Sequence, residues 1–432
     1  MSKELYKGSL QVLILRVSWA VIGFAGQIII ARAVGVDAYG QYSLILAWLA
    51  VLCLFARLGF DESSVKFVSR ASQDGNAGVM HAFLRYAVRY ALVAGLALAL
   101  LGMLLLWWWR PQESHTTAWL LGLAMLPLMA LNNIRQGSLR GLRRFLHSQL
   151  GDSAIRPLLV IVLVLLASRG LQQPLSLEAL MWISLAALIF AFVLGGVWLK
   201  RALPAAEPLA VDAGTRREWL RTSAWMALLS SSILILNRTD ILMLGVFVPA
   251  ESVGLYAAAT KIATLFTFGL AAVNMSIAPL LSRAHASGDH GQLGRLMQKG
   301  TLISLAVSLV LVLAMWIAGD FALGLFGETF LQARSVFYLL AASHVVSALV
   351  GPTGALMNMT GHHKAYALLL GAAALVNVLL NVVLIPAMGI EGAALATLIS
   401  ATLWKIYSVF YVRRRLGIRP GVMSLWQGRA AV

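Results

Sequence analysis

Long apolar stretches alternate with short polar connections along the whole chain, and that alternation predicts the elements. Twelve stretches stand out, over residues 10–31, 42–60, 86–109, 118–134, 153–168, 180–199, 223–247, 253–281, 300–319, 334–357, 365–387 and 391–411. Each is close to the roughly 20 residues that carry a helix across a hydrocarbon core of about 30 Å. The expected fold class is therefore an all-α polytopic membrane protein with about twelve transmembrane helices. Residues 1–199 and 223–411 are expected to form two six-helix bundles. A linker at 200–222 joins them and a tail at 412–432 follows. The linker contains Pro204, Pro208 and the run Arg216-Arg217-Glu218-Trp219, and its end is expected to lie on the membrane surface as an amphipathic helix.

Composition sharpens this reading. Hydrophobic residues make up 60% of the 432 residues and charged residues 12%, about half the charged share of a soluble domain; mean hydropathy is +0.83. A net charge of +17 in a soluble protein would point to nucleic acid, but its placement decides otherwise. Of the 34 Lys and Arg, six (Arg16, Arg57, Arg156, Arg238, Lys261 and Lys405) are counted with the apolar stretches; of the rest, which lie in loops or at stretch edges, only Arg32, Arg110, Arg169 and Arg334 belong to one side. All the others crowd the opposite side. This is the bias that holds basic loops in the cytoplasm, and it puts both termini there. The basic excess thus serves topology and contact with anionic membrane lipids, and no nucleic-acid partner is expected. Trp107-Trp108-Trp109 before Arg110 reads as an aromatic anchor at the outer interface. The single cysteine, Cys53, lies inside the second stretch, so no disulfide framework, metal or cofactor is expected. Ala31-Arg32-Ala33 has the look of a leader-cleavage site, but the apolar run before it is too long for a leader.

The two halves echo each other. Asp37-Ala-Tyr-Gly40-Gln-Tyr42 and Glu251-Ser-Val-Gly254-Leu-Tyr256 share an acid-x-x-Gly-x-Tyr pattern 214 positions apart. Ser69-Arg70-Ala71 and Ser282-Arg283-Ala284 follow, 213 positions apart, and Arg140-Gly141 has a weaker counterpart in Thr360-Gly361. An even number of spans per half makes these parallel repeats, an arrangement that transporters use to rock about a midplane site.

Several segments in this order resemble a known family. They are Met357-Asn-Met-Thr-Gly361-His-His-Lys364, Asn377, Asn381-Val-Val-Leu-Ile-Pro386, Gly389-Ile-Glu-Gly392-Ala-Ala-Leu-Ala-Thr397, Phe326-Gly-Glu-Thr-Phe330, Asp240 with Gly254-Leu-Tyr256, and Ala31-Arg-Ala-Val-Gly35 with Tyr39-Gly-Gln-Tyr42. The set is similar to polysaccharide flippases of the O-antigen type, in the multidrug/oligosaccharidyl-lipid/polysaccharide exporter superfamily. The resemblance implies a MATE-like pair of bundles around a cavity that opens alternately to either side. The implied cargo is an undecaprenyl-pyrophosphate-linked oligosaccharide moved across a bacterial inner membrane, with polysaccharide polymerase machinery as a neighbour.

Charges inside the apolar stretches mark candidate chemistry, because each costs roughly 2.5–3.5 kcal/mol at a helix centre. Arg57, Arg156 and Lys405 sit near cytoplasmic ends and are expected to reach the interface with their long side chains. Arg16 has the same option, and the resemblance makes it a cavity candidate. Arg238 and Asp240 lie deep in the seventh stretch and point about 200° apart. Asp240 has two readings: a buried pair with Lys261 of the eighth stretch, or a proton or sodium site with Asn237 on the same face. Either leaves Arg238, whose planar donor fork suits phosphate oxygens. Arg16, Arg238 and Lys261 are accordingly the substrate-binding candidates. Asn377 and Asn381, one helical turn apart, are expected to hydrogen-bond between helices.

Other functions fit less well. An ATP-driven pump needs a phosphate-binding loop, and the dipeptide Gly-Lys occurs nowhere. A membrane enzyme of polysaccharide synthesis is the rival of another class, but no paired carboxylates face outward, and Asp61-Glu62 reads as helix-end charge. A multidrug exporter of the same superfamily is the closer alternative. Cationic drugs favour acidic cavities, whereas the deep charges here are one acid against several bases.

Overall fold

The computed structural model describes the chain except residues 1, 110–114, 170–173, 208, 419 and 423–432; for 2–20, 109, 169, 229–230, 232–233 and 235–236 it describes the backbone alone. It is built of helices: α1 (Ser2–Arg57), α2 (Phe60–Gln73), α3 (Ala77–Trp109), α4 (Thr116–Gly141), α5 (Phe145–Leu150), a π turn (Gly151–Ile155), α6 (Arg156–Arg169), α7 (Leu177–Ala202), α8 (Ala213–Phe247), α9 (Ala250–Ala286), α10 (His290–Gly324), a 3-10 turn (Glu328–Ala333), α11 (Arg334–Val350), α12 (Thr353–Met359) and α13 (His363–Leu416). Among the described residues, nine helices are long and apolar enough to cross a membrane. Their lipid-facing character is plain on α3, where Val93, Leu100, Leu104 and Trp108 are 60–81% exposed. A soluble fold buries such a row; lipid tolerates it. The chain is an all-α multi-pass membrane protein.

The predicted spans fall on helical segments, the tenth (334–357) divided between α11 and α12 at Gly351-Pro352, and two predicted loops are nearly absent. Spans one and two form α1, interrupted only at Gly35 (φ 82°), and spans eleven and twelve form α13, interrupted only at Gly389 (φ 61°). The chain nonetheless folds back at both glycines. Tyr39 Oη donates to Gln27 Oε1 at 3.0 Å, although twelve residues of straight helix span about 18 Å. Asn377 Nδ2 reaches Thr397 Oγ1 at 3.3 Å and Ser400 Oγ at 3.4 Å, positions about 30 Å or more apart on an unbroken helix. A residue in left-handed or mirror conformation reverses the chain at once, and glycine adopts it without a Cβ penalty.

The chain divides into two compact units, Leu15–Arg238 and Met1–Ile14 with Thr239–Val432. In the first, α2, α3 and the start of α8 close around an aromatic cluster. Trp219 is 3% exposed and meets Phe83 edge-on at 5.3 Å, Tyr86 at 6.0 Å and Phe67 at 6.4 Å. The end of the linker is thus anchored inside protein by its tryptophan, where a helix lying on the membrane surface had been expected. The linker itself is tied to α3: Leu209 N donates to Gly78 O at 3.1 Å, and His81 Nε2 lies 2.8 Å from Pro204 O. Arg135, expected in a cytoplasmic loop, is instead 5% exposed. It donates from Nη1 to the Ala191 and Phe192 carbonyls of α7 at 2.7 and 2.9 Å.

The second unit packs α9 against α10, α11 and α12, with α11 lying along α13. Its chain turns repeat those of the first unit in bond-by-bond detail. Gly75 and Gly288, 213 positions apart, both have positive φ (66° and 69°). The following amides bond five residues back, Asn76 to Ala71 O at 2.9 Å and Asp289 to Ala284 O at 3.1 Å. Asn76 and Asp289 then cap the next helix, accepting from Val79 N at 3.1 Å and Gln292 N at 2.7 Å. This is a Schellman closure followed by an N-cap, used twice. A second closure pairs Arg143 (φ 59°) with Gly361 (φ 81°), two residues from the Arg140-Gly141 and Thr360-Gly361 alignment read from sequence. Residues 144 and 362 donate to the carbonyls of Leu139 and Met357, both at 2.8 Å.

Candidate functional site

Asp240 is the centre of a polar cluster in the second unit. It stands on α8, and three helical segments aim donors at its carboxylate. Tyr256 Oη of α9 donates to Oδ2 at 2.6 Å, Thr397 Oγ1 of the second arm of α13 donates to Oδ2 at 2.6 Å, and Asn381 Nδ2 of the first arm donates to Oδ1 at 2.9 Å. The fold-back at Gly389 makes this convergence possible. Asn381 lies eight residues before the break and Thr397 eight after it, so the two arms bring them level. Asn377, one turn from Asn381, bonds to it through Oδ1 at 3.1 Å and extends the network to Thr397 and Ser400.

Hydroxyl and amide donors occupy the Asp240 carboxylate, and on α9 Tyr256 is a residue that reaches it. Asn237 is exposed, and the amide that reaches Asp240 comes from Asn381.

Two observations bear on this cluster. The first is an orphan: Asn381 Oδ1 is buried and has no hydrogen-bond partner among the described residues. A buried acceptor left unmade costs about 1–3 kcal/mol, and this one sits on the side chain that donates to the Asp240 carboxylate. The second is the internal repeat. Positions 214 before Asp240 and Tyr256 are Gly26 and Tyr42, and 213 before Thr397 is Ser184. In the first unit Tyr42 Oη lies 3.4 Å from Ser184 Oγ, and a Cβ on Gly26 would sit 3.2 Å from Ile161. The corresponding helices of the first unit therefore pack with glycine where the second unit carries Asp240. Packing does not require the charge.

The ligands available are carboxylate, amide and hydroxyl oxygens, a set suited to a hard monovalent cation or a proton. Among the described residues no three His, Cys, Asp or Glu cluster as a metal site.

The interior bases sort by partner. Arg57 bonds Asp61, and Arg156 lies 3.9 Å from Asp152, which also accepts from Asn132 and Gln136. Arg140 reaches Glu62 at 3.6 Å. Arg238 is half-buried and, among the described residues of its unit, has neither a hydrogen bond nor an ion pair. Lys261 is half-buried on α9. The Arg16 side chain lies outside the described residues. Lys405, expected to reach the interface, is half-buried and lies over the Trp404 ring at 4.2 Å; His344 is stacked on Phe266 with centroids 5.7 Å apart.

The pattern of the family described as "Polysaccharide biosynthesis protein" matches residues 5–285. The chain belongs to this family. The MatE pattern matches residues 226–383, a range that includes Asp240, Tyr256, Asn377 and Asn381. Among curated proteins, the chain is 22% identical over 427 residues to "Probable low-salt glycan biosynthesis flippase Agl15" of Haloferax volcanii, covering 96% of this chain and 85% of that protein. It is 26% identical over 189 residues to "Probable flippase AglR" of the same organism, covering 43% of this chain and 40% of that one. Among solved structures, a multidrug resistance MATE family transporter of the MOP superfamily superposes with TM-score 0.72 at 15% identity, covering 94% and 98% of the two chains. Lipid II flippase MurJ gives 0.71 at 13% identity, covering 93% and 87%. The fold is MATE-like.

Proposed function

We propose that this chain is a flippase that moves a lipid-linked oligosaccharide, joined through pyrophosphate to an undecaprenyl carrier, across a bacterial inner membrane by alternating access. Membership in a polysaccharide biosynthesis family and likeness to proteins named as glycan flippases support the cargo class. The observation that carries the mechanism is the Asp240 cluster: a carboxylate in a membrane helix, held by three neutral donors beside a free amide oxygen. Asp240 takes up a proton or a sodium ion, with Asn381 Oδ1, Thr397 Oγ1 and Tyr256 Oη as further ligands once their donor bonds are released. Asn377 keeps Asn381 in place. Asn237 is not needed for this arrangement.

Arg238, with Arg16 and Lys261, supplies positive charge for the pyrophosphate. A guanidinium binds phosphate oxygens through two parallel hydrogen bonds, a geometry a drug cation cannot use. The two halves, 1–199 and 223–411, act as the moving bodies, with 200–222 packed on the first of them. Deleting the gene tests the function. The expected phenotype is a truncated or missing surface polysaccharide, restored by the wild-type gene and not by Arg238→Ala. A normal polysaccharide with raised sensitivity to cationic drugs would establish the multidrug-exporter reading instead.

A further inference from the structure

Each half of the chain holds a basic, aromatic pocket at the same place in the repeat, and neither belongs to the transport site. The first has a volume of about 220 Å³ and is lined by Leu139, Arg144, His147, Trp198, Arg201 and Ala202. The second has a volume of about 670 Å³ and is lined by Leu369, Tyr407, Phe410, Tyr411, Arg414 and Arg415. Both lie where the start of one span meets the end of the next, five with six and eleven with twelve. Arg201 and Arg415 are 214 positions apart, and Trp198 and Tyr411 are 213 apart, the displacement of the repeat itself.

The likeness extends to side-chain geometry. His147 meets Trp198 edge-on, with centroids 5.2 Å apart and planes at 83°. His362 meets Tyr411 in the same way at 5.7 Å and 74°. Upstream of both, the chain makes the same closure, through Arg143 and Gly361. In the first half the residue in the left-handed conformation is an arginine, not a glycine, and the closure places Arg144 at the pocket.

We propose that these pockets are a matched pair of headgroup sites for anionic phospholipid in the cytoplasmic leaflet. Charge complementarity names the occupant. Two guanidiniums and, among the described residues, no carboxylate line each pocket, so a phosphodiester finds two donor forks, from Arg144, which precedes α5, and Arg201 of α7 in the first pocket and from the consecutive Arg414 and Arg415 in the second. The rims are apolar and exposed: Phe145 at 63% and Leu146 at 47% beside the first pocket, Tyr407 at 61% and Phe410 at 54% at the second. Acyl chains cover such rims; free phosphate leaves them bare. The ends concerned are the basic ones, which the charge bias places in the cytoplasm, where the leaflet is negatively charged.

The test is native mass spectrometry of the full-length protein in detergent, titrated with phosphatidylglycerol or with phosphatidylcholine of the same chains. The wild type is expected to retain two phosphatidylglycerol molecules in preference to phosphatidylcholine. Arg144→Ala with Arg201→Ala is expected to weaken one of them about thirtyfold, from two arginines at a membrane surface. Arg414→Ala with Arg415→Ala is expected to weaken the other. Equal retention of the two lipids by the wild type would overturn the proposal with no variant required. So would unchanged retention in both pairs of variants, or displacement of phosphatidylglycerol by millimolar inorganic phosphate, which would make these plain anion sites.

Discussion

Replacing Asp240 by Ala and by Asn separates its structural bonds from its charge. In the protein the carboxylate accepts from Tyr256 at 2.6 Å, Thr397 at 2.6 Å and Asn381 at 2.9 Å. Asp240→Ala leaves all three donors without an acceptor. Hydrogen bonds between membrane helices are worth about 0.6–1.7 kcal/mol each, so the loss is about 2–5 kcal/mol. Asp240→Asn keeps an acceptor oxygen and the shape, and the hydroxyls of Tyr256 and Thr397 can rotate to accept from the new amide. Its cost is about 1 kcal/mol, one neutral bond's worth. The assay is built into the chain. Cys53 is the only cysteine and is 3% exposed, so a thiol-reactive dye reports unfolding as heat uncovers it. Asp240→Asn should melt close to the wild type and Asp240→Ala clearly lower, while both lose gradient-driven transport. An Asp240→Asn protein that transports normally under a proton or sodium gradient would refute the coupling role. Equal melting of Ala and Asn variants would refute the account of the donors.

Three other perturbations have definite expected results. Gly195→Ala puts a Cβ within 1.9 Å of Arg135 Nη1, which displaces the guanidinium from the Ala191 and Phe192 carbonyls; breaking a buried charged contact costs about 3–5 kcal/mol, read as a lower melting temperature by the Cys53 assay. Gly137→Ala puts a Cβ 1.9 Å from the backbone oxygen of Asp61, where no rotamer can yield, so α2 must move off α4 and proteolysis within 60–73 should increase. At the start of α8, the Thr215 hydroxyl, then its amide, hold the Asp212 carboxyl below the usual carboxylate range. Because the folded value is lowered, this capping is fully present above the ordinary value of about 3.9 and is lost as pH falls through the lowered one. Hydrogen exchange at 213–217 should therefore quicken in acid, and Asp212→Ala should remove that dependence.

The spans were legible because an apolar run of membrane length has one stable fate, a helix. The loops were less so. Residues 32–41 and 388–390 read as connections, but at Gly35 and Gly389 a single residue suffices to fold the chain back, and no periodicity announces that economy. At the site, Asp240 stood out as the deep acid and Asn377-x-x-x-Asn381 as a polar pair. Their meeting did not, because 141 positions separate Asp240 from Asn381 and only the fold-back of α13 sets their level. Tyr256 was in view as a mark of the repeat; its bond to Asp240 stands out only when the first half is seen to pair Tyr42 with Ser184 and to carry Gly26 where the acid stands. Arg135 read as a loop base because nothing in sequence shows that Gly195, sixty residues on, leaves room for its guanidinium.

Transport of a fluorescent undecaprenyl-pyrophosphate oligosaccharide in proteoliposomes tests the central claim most directly, scored by protection of the sugar from an external glycosidase. The wild-type protein should move the lipid between leaflets, Arg238→Lys should move it more slowly, and Arg238→Ala should fall to the level of empty vesicles while melting like the wild type. Unchanged transport by Arg238→Ala, or a wild-type protein that leaves this lipid in place yet carries a cationic dye, would contradict the account.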